Sequence, residues 1–206
     1  PSQTYRPTLQ GTYNDVAISV SCRSSASNGI AVTVLSLPPA PVIGVQGGGS
    51  TTICQGNSVT LTSDAATGNQ WYRNGLAITS ATDQTYTTSQ DGSYQSIVTN
   101  GGCPSNPSNA VVIIVNPTPV KPVITTGGPT SFCSGGSVLL TSSATSGNQW
   151  YKDNVAIVSA TSQTYTATLT GSYTVVVTTT GCSSDPSDPV VVSLATPPSA
   201  PIVGTI

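Results

Sequence analysis

The chain contains no histidine, no glutamate and no methionine, and all seven of its acidic residues are aspartate. Without histidine there is no Ser-His-Asp or Cys-His arrangement and no common histidine-based zinc site. Lysine and arginine number five in 206 residues, and the net charge is −2. So few cations exclude a basic nucleic-acid footprint and electrostatic docking to anionic lipid. No apolar run approaches the roughly 18 residues of a helical membrane span, so direct membrane insertion is not expected. No Asn-x-Ser/Thr sequon with x other than proline occurs. No signal peptide opens the chain. Its first residues, Ser2-Gln3-Thr4-Tyr5, match Ser162-Gln163-Thr164-Tyr165 further on. The expectation is a chain that starts inside a repeat, with any export signal elsewhere in a longer parent. Phenylalanine occurs once and tryptophan twice, so a few aromatics must carry the bulk of any core. Thr, Val, Ser and Gly dominate, which suits strands and turns.

What is present is a repeat. Cys54, Trp71, Tyr86, Tyr94 and Cys103 recur 79 positions later as Cys133, Trp150, Tyr165, Tyr173 and Cys182. Gly68-Asn69-Gln70-Trp71-Tyr72 reappears as Gly147-Asn148-Gln149-Trp150-Tyr151. A fixed period of this length marks copies of one supersecondary unit. Residues 1–37 read as the second half of a repeat, with Gly11-Thr12-Tyr13 matching Gly92-Ser93-Tyr94, and with 30–37 as the closing strand. Residues 38–116 and 117–196 read as complete repeats. Residues 197–206 read as a joint and the start of a further repeat. Proline-rich joints, Pro38-Pro39-Ala40-Pro41 and Pro117-Thr118-Pro119-Val120-Lys121-Pro122, separate the copies.

Within a copy, Ser58–Thr62 alternates polar and apolar and predicts a half-buried strand. Gln70–Arg73, Leu76–Ile78, Thr85–Thr87, Ser93–Thr99 and Ala110–Val115 predict further strands, with turns at Arg73-Asn74-Gly75, Asp91-Gly92 and Asn100-Gly101-Gly102. Seven or so short strands in about 80 residues predict an all-β antiparallel sandwich. A Trp on the third strand and a Tyr heading the sixth are immunoglobulin marks. Trp71 and Trp150 are expected as core plugs. Tyr94 and Tyr173 are expected in the core as tyrosine corners, with the hydroxyl returned to the backbone. The expected arrangement is a series of immunoglobulin-like sandwiches stacked end to end.

The string Cys-x-Gly-x-Ser-Val-x-Leu-Thr at 54–62, with its near copy at 133–141, is followed by Asn-Gln-Trp-Tyr, Gln-Thr-Tyr, Gly-Ser-Tyr and Gly-Cys. It resembles the Ig-like tandem repeats of very large secreted proteins of Bacteroidota. That resemblance implies an exported, cell-surface location by type IX secretion, and a place in adhesins, including those of gliding motility, or beside secreted enzymes. It implies no ligand site.

Five cysteines in an exported chain suggest disulfides. One pairing is within repeats, Cys54–Cys103 and Cys133–Cys182, leaving Cys22 over. In an immunoglobulin frame the disulfide joins the middles of two strands, near Leu61 and Ser96. Cys54 lies seven residues before Leu61 and Cys103 seven after Ser96. Those displacements point to opposite poles, ~30 Å or more apart, whereas a disulfide needs Cα atoms within roughly 7 Å. Pole-to-pole stacking favours an inter-repeat bond, Cys54–Cys182. Cys22, Cys103 and Cys133 are then expected to pair with repeats outside this chain, or to stay free.

Other candidates read as structural. Asp185 and Asp188 flank Pro186 in turn chemistry. A repeated calcium site is not expected, because Asp91 becomes Thr170 and Asp64 becomes Ser143, and a hard cation needs several converging oxygens. Gly47-Gly48-Gly49 lacks the signature of a phosphate loop and reads as a flexible loop. Tyr72 and Tyr151 adjoin inward tryptophans on a strand, so they face outward and are the candidate ligand contacts. No cofactor is expected. The expected role is a non-catalytic stalk whose partners are neighbouring repeats of the same chain. The alternatives are a module binding surface polysaccharide and an accessory module or linker beside a secreted polysaccharide-degrading enzyme.

Overall fold

The computed structural model describes residues 4–196. The joint and repeat start expected over 197–206 lie outside the described residues. The fold groups into two compact units. One takes the described residues up to Gly49 with Thr60–Thr88 and Gly92–Val112; the other takes Ser50–Val59, Ser89–Asp91 and the described residues from Ile113.

The chain begins with four short strands, β1 (Gly11–Tyr13), β2 (Ile18–Ser19), β3 (Cys22–Arg23) and β4 (Ile30–Val32). β1 pairs with β4, and β2 with β3, both antiparallel. The closing strand expected over 30–37 is thus shorter. It stops at Val32, opposite Gly11, where its partner begins.

Next come β5 (Ile43–Val45), β6 (Thr52–Cys54), β7 (Val59–Ser63), β8 (Asn69–Arg73), β9 (Leu76–Ala77), β10 (Thr85–Thr88), β11 (Gly92–Asn100), β12 (Cys103–Pro104) and β13 (Val111–Asn116). They form a three-stranded sheet, β10-β7-β5, and a larger one, β6-β13-β11-β8-β9, with β12 on β11. The same order returns in β14 (Ile124–Thr126), β15 (Ser131–Phe132), β16 (Val138–Ser142), β17 (Asn148–Lys152), β18 (Val155–Ala156), β19 (Thr164–Ala167), β20 (Gly171–Thr179), β21 (Cys182–Ser183) and β22 (Val190–Leu194). Their sheets are β14-β16-β19 and β15-β22-β20-β17-β18, with β21 on β20. The chain is all-β, with two-sheet immunoglobulin-like strand order.

The sandwich is not wholly antiparallel. β6 runs parallel to β13, and β15 parallel to β22. The first strand of each set splits: its first part pairs antiparallel with β7 or β16, and its second part joins the other sheet. In the first set the crossing is made at Gln46–Gly48, a short 3-10 turn where Gly47 and Gly48 hold φ of 70° and 71°. The expected flexible glycine loop is therefore an ordered switch between sheets, in a left-handed conformation that glycine adopts without steric cost. These split strands are three residues or fewer, too short for a period-2 pattern. They place each Trp one strand later than the third.

Alternation does fix β7, where Val59, Leu61 and Ser63 are buried and Thr60 and Thr62 are half-buried. Trp71 and Tyr94 are fully buried on β8 and β11, and Trp150 is fully buried with Tyr173 at 1% exposure on β17 and β20. The Trp71 indole N–H donates to Asp83 O at 2.9 Å, and that of Trp150 to Ser162 O at 2.9 Å. Tyr86 bridges Trp71 and Tyr94 with ring centroids 6.0 Å from each. Tyr165 does the same between Trp150 and Tyr173, at 6.0 and 5.8 Å. Such spacings suit offset aromatic contacts. Around Trp150 the core closes with Val138, Leu140, Ala167, Val175 and Val192.

A serine ladder extends each β11-type strand. Ser108 N donates to Ser96 O, while Ser96 N donates to Ser108 Oγ, both at 2.9 Å. Ser105 makes the same exchange with Val98, at 2.8 and 3.0 Å. Ser184 and Ser187 repeat it on Val177 and Val175, and Ser24 and Ser27 on Ala17 and Asp15. The signal in the sequence is a Cys-x-Ser-x-x-Ser spacing in all three copies, which a strand-by-strand reading misses. Ser187→Ala would leave the buried Val175 N–H without its acceptor. We expect a loss of about 1–3 kcal/mol in denaturant unfolding, against about 0.5 kcal/mol or less for the neighbouring exposed Ser183→Ala.

The copies differ in the buried contact made by Asn69 and its counterpart Asn148. Asn69 Oδ1 accepts from Ser96 Oγ at 3.1 Å. The counterpart of Ser96 is Val175, and Asn148 Oδ1 is buried without a partner. Val175→Thr keeps the branched shape and offers a donor. We expect it to be neutral or stabilising by up to about 1 kcal/mol, whereas Val177→Thr should cost about 1–2 kcal/mol for a hydroxyl buried without an equivalent acceptor. Paired melts of the two variants check this.

Candidate functional site

The feature that stands apart from packing is a disulfide. Cys54, ending β6, is bonded to Cys182, opening β21, with S–S 2.06 Å and Cα atoms 5.6 Å apart. The two lie 128 residues apart in sequence and belong to different copies of the repeat. Cys22, Cys103 and Cys133 are free thiols.

Local chemistry presents both sulfurs. Cys54 leaves the parallel pairing opposite Asn116 and enters a turn closed by Asn57 N to Cys54 O at 2.9 Å. Cys182 stands directly after the tip of a two-residue hairpin, with Thr179 opposite it in β20. Thr180 and Gly181 hold φ of 50° and 82°. This is the doubly left-handed pattern that matches the twist of flanking strands. Asn116 Nδ2 donates to Thr180 O at 2.8 Å, and Thr118 Oγ1 to Gln55 O at 3.2 Å. Cys182 is 2% exposed, while Cys103, in the equivalent hairpin, is half-exposed and Cys133 is exposed.

The other sequence candidates fall into structural roles. Asp64 Oδ1 accepts from Val42 N at 2.9 Å, and Ser143 Oγ accepts from Val123 N at 3.0 Å. Aspartate and serine exchange here because either oxygen caps the same backbone N–H. Asp188 accepts from Lys121 Nζ at 2.5 Å on the surface, and Asp185 is exposed. Among the described residues no three His, Cys, Asp or Glu side chains converge as a metal site would need. Among the same residues, no helix is long and apolar enough to cross a membrane.

Tyr72 sits opposite Gln95 and Ala77, and Tyr151 opposite Thr174 and Ala156. Both are half-buried. An open groove lies along Tyr5, Tyr13, Asp15, Ile30 and Val32. Tyr5 and Tyr13 keep a ring contact at 5.7 Å, matching Tyr86 and Tyr94. The groove therefore carries the ring pair whose counterparts, Tyr86 and Tyr94, lie beside Trp71.

The tyrosine corner is present in Tyr173 and Tyr13, whose hydroxyls donate to Leu169 O at 2.9 Å and Leu9 O at 2.8 Å. Tyr94 also meets the Thr88 hydroxyl at 2.7 Å, a contact that the sequence pattern did not suggest. Burial pushes the Tyr173 phenol above its ordinary value of 10.0, with the neighbouring Tyr165 adding to the shift. A raised folded-state value means that the neutral phenol stabilises the fold fully below the unfolded value. This stabilisation is lost as pH rises through the folded one. Melting temperature should therefore fall above about pH 10, and less steeply in Tyr173→Phe.

Residues 38–117 match the family model described as an Ig-like domain, CHU_C associated. No curated protein matches the chain. Among solved structures, the chain is similar to the human OSCAR ligand-binding domain at 17% identity, over 76% of this chain and 100% of that one. The TM-score is 0.32, and this likeness carries no argument about function.

Proposed function

We propose that this chain is a non-catalytic stalk segment of a large exported bacterial adhesin, with residues 38–116 and 117–196 as complete repeats that project a distal adhesive region from the cell surface. The observation that carries the reading is the Cys54–Cys182 bond, which ties one repeat covalently to the next. A single enzymatic or binding domain gains little from such a bond, whereas a spacer under tension gains a load path. The Ig-like family match and the exposed, thinly charged strands support the same reading. The resemblance to Bacteroidota repeats adds type IX export and a use in gliding.

Two measurements test it. Antibody raised against the chain should label intact cells of the producing organism, and brief external protease should remove the label. The isolated chain should show no retention on a polysaccharide array. The second reading, a polysaccharide-binding or accessory module of a secreted hydrolase, rests on the half-buried Tyr72 and Tyr151 at equivalent strand positions. Saccharide binding that Tyr72→Ala and Tyr151→Ala abolish would replace the stalk by that module.

A further inference from the structure

We infer that Cys133 and Cys103 are the open halves of further disulfides of the Cys54–Cys182 type, and that the partner of Cys133 is the cysteine after the hairpin tip of another Ig-like repeat. This rests on the stalk reading and adds the identity of the partner.

Three observations converge. First, Cys133 is built as Cys54 is. Each stands at the end of a short strand that runs parallel to the closing strand of its set, Cys54 as the last residue of β6 and Cys133 directly after β15. Each carbonyl closes the same turn, Cys54 O accepting from Asn57 N and Cys133 O from Gly136 N, both at 2.9 Å. Second, Cys103 is built as Cys182 is. It faces Asn100 across a two-residue tip, Gly101-Gly102, with φ of 57° and 82°. Third, the surroundings of that tip are already in place. Leu35 occupies the position before the joint that Asn116 occupies in the next copy. Its Cδ1 lies 3.5 Å from where a Cβ on Gly101 would stand, as Asn116 reaches Thr180 beside Cys182. The same strand end meets the same hairpin tip in both places. Only the bonded sulfur is missing from the first.

The bond forms by exchange with a disulfide donor, either a small-molecule disulfide such as oxidised glutathione or a dithiol oxidase. The Cys133 thiolate attacks one donor sulfur, and a donor thiolate leaves. The partner cysteine's thiolate then attacks the mixed disulfide, and the second donor thiolate leaves. Two electrons pass to the donor, and two protons pass to water. Cys133 lies inside the loop that Cys54 and Cys182 close, so successive bonds of this kind interlock and no repeat lies outside a closed loop.

The test extends the chain. A copy of residues 117–196 is placed directly after Thr196, in place of 197–206, and the protein is folded in a glutathione redox buffer. A second version carries a copy of residues 38–116 there. Non-reducing peptide maps should show Cys54–Cys182 and, in at least one version, Cys133 bonded to the added copy's counterpart of Cys182 or Cys103. Three free thiols should remain, with Cys133 no longer among them. Cys54–Cys182 formed in both versions with Cys133 still alkylated, or bonded to Cys22, Cys103 or the added copy's first cysteine, overturns the inference and leaves the stalk reading intact. Failure of Cys54–Cys182 in the unextended chain overturns both.

Discussion

Held at its two ends and pulled, the oxidised chain should yield about 450 Å less contour length than the reduced one, at up to ~3.6 Å per residue over the 128 residues between Cys54 and Cys182. With the bond closed, tension passes from Cys54 to Cys182 through sulfur, and the intervening residues carry none of it. They include both tryptophans and most of both sandwich sets. Force spectroscopy with and without reductant reads the difference directly. Cys54→Ser should give the reduced trace in either condition, while Cys22→Ser should keep the oxidised difference. Equal lengths with and without reductant would remove the bond and the stalk reading built on it. The same closure limits the unfolded chain. In the loop-entropy account a loop of this size contributes about 4–5 kcal/mol, so reduction should also lower the melting temperature.

Trp150→Ala should cost residues 117–196 about 3–5 kcal/mol, a large fraction of the roughly 5–15 kcal/mol that holds a domain folded. The indole is fully buried among Val138, Leu140, Ala167, Tyr173, Val175 and Val192. Truncation opens a cavity that strands fixed on both sides cannot close. It also removes the donor to Ser162 O and the ring contact with Tyr165. Trp150→Phe keeps much of the volume and should cost less. The chain has two tryptophans, and each variant leaves one as a fluorescent reporter. In Trp150→Ala the emission of Trp71 should still shift cooperatively with denaturant. Near-wild-type stability of Trp150→Ala, by circular dichroism, would show that the indole does not organise this core.

Several elements were legible because local and tertiary demands agree. Alternation in Val59–Ser63 places the same side chains inward whichever strand lies beside it, so the pattern alone sets the face. Trp71 and Trp150 are too large and too apolar to stay outside a core with a single phenylalanine in the chain. The disulfide was legible by exclusion, since displacement along strands of known rise puts Cys54 and Cys103 at opposite ends.

Other elements were not. The split first strand is two three-residue pieces around a glycine turn, and its parallel pairing depends on where β13 ends. The Ser105 and Ser108 ladder works through backbone groups of β11, which hydropathy does not register. The exchange of Asp64 for Ser143 spoke in the sequence only against a repeated calcium site, while the structure shows each capping the equivalent backbone N–H, of Val42 and of Val123.

By itself the sequence determined the period, the strand-rich class, the buried indoles and the absence of histidine chemistry, because these follow from composition and from the two-residue alternation of a strand. The tertiary structure alone decided which backbone groups the serines satisfy and which sheet each half of the first strand joins. These contacts join residues far apart in the chain, and their geometry exists only once the sheets have closed.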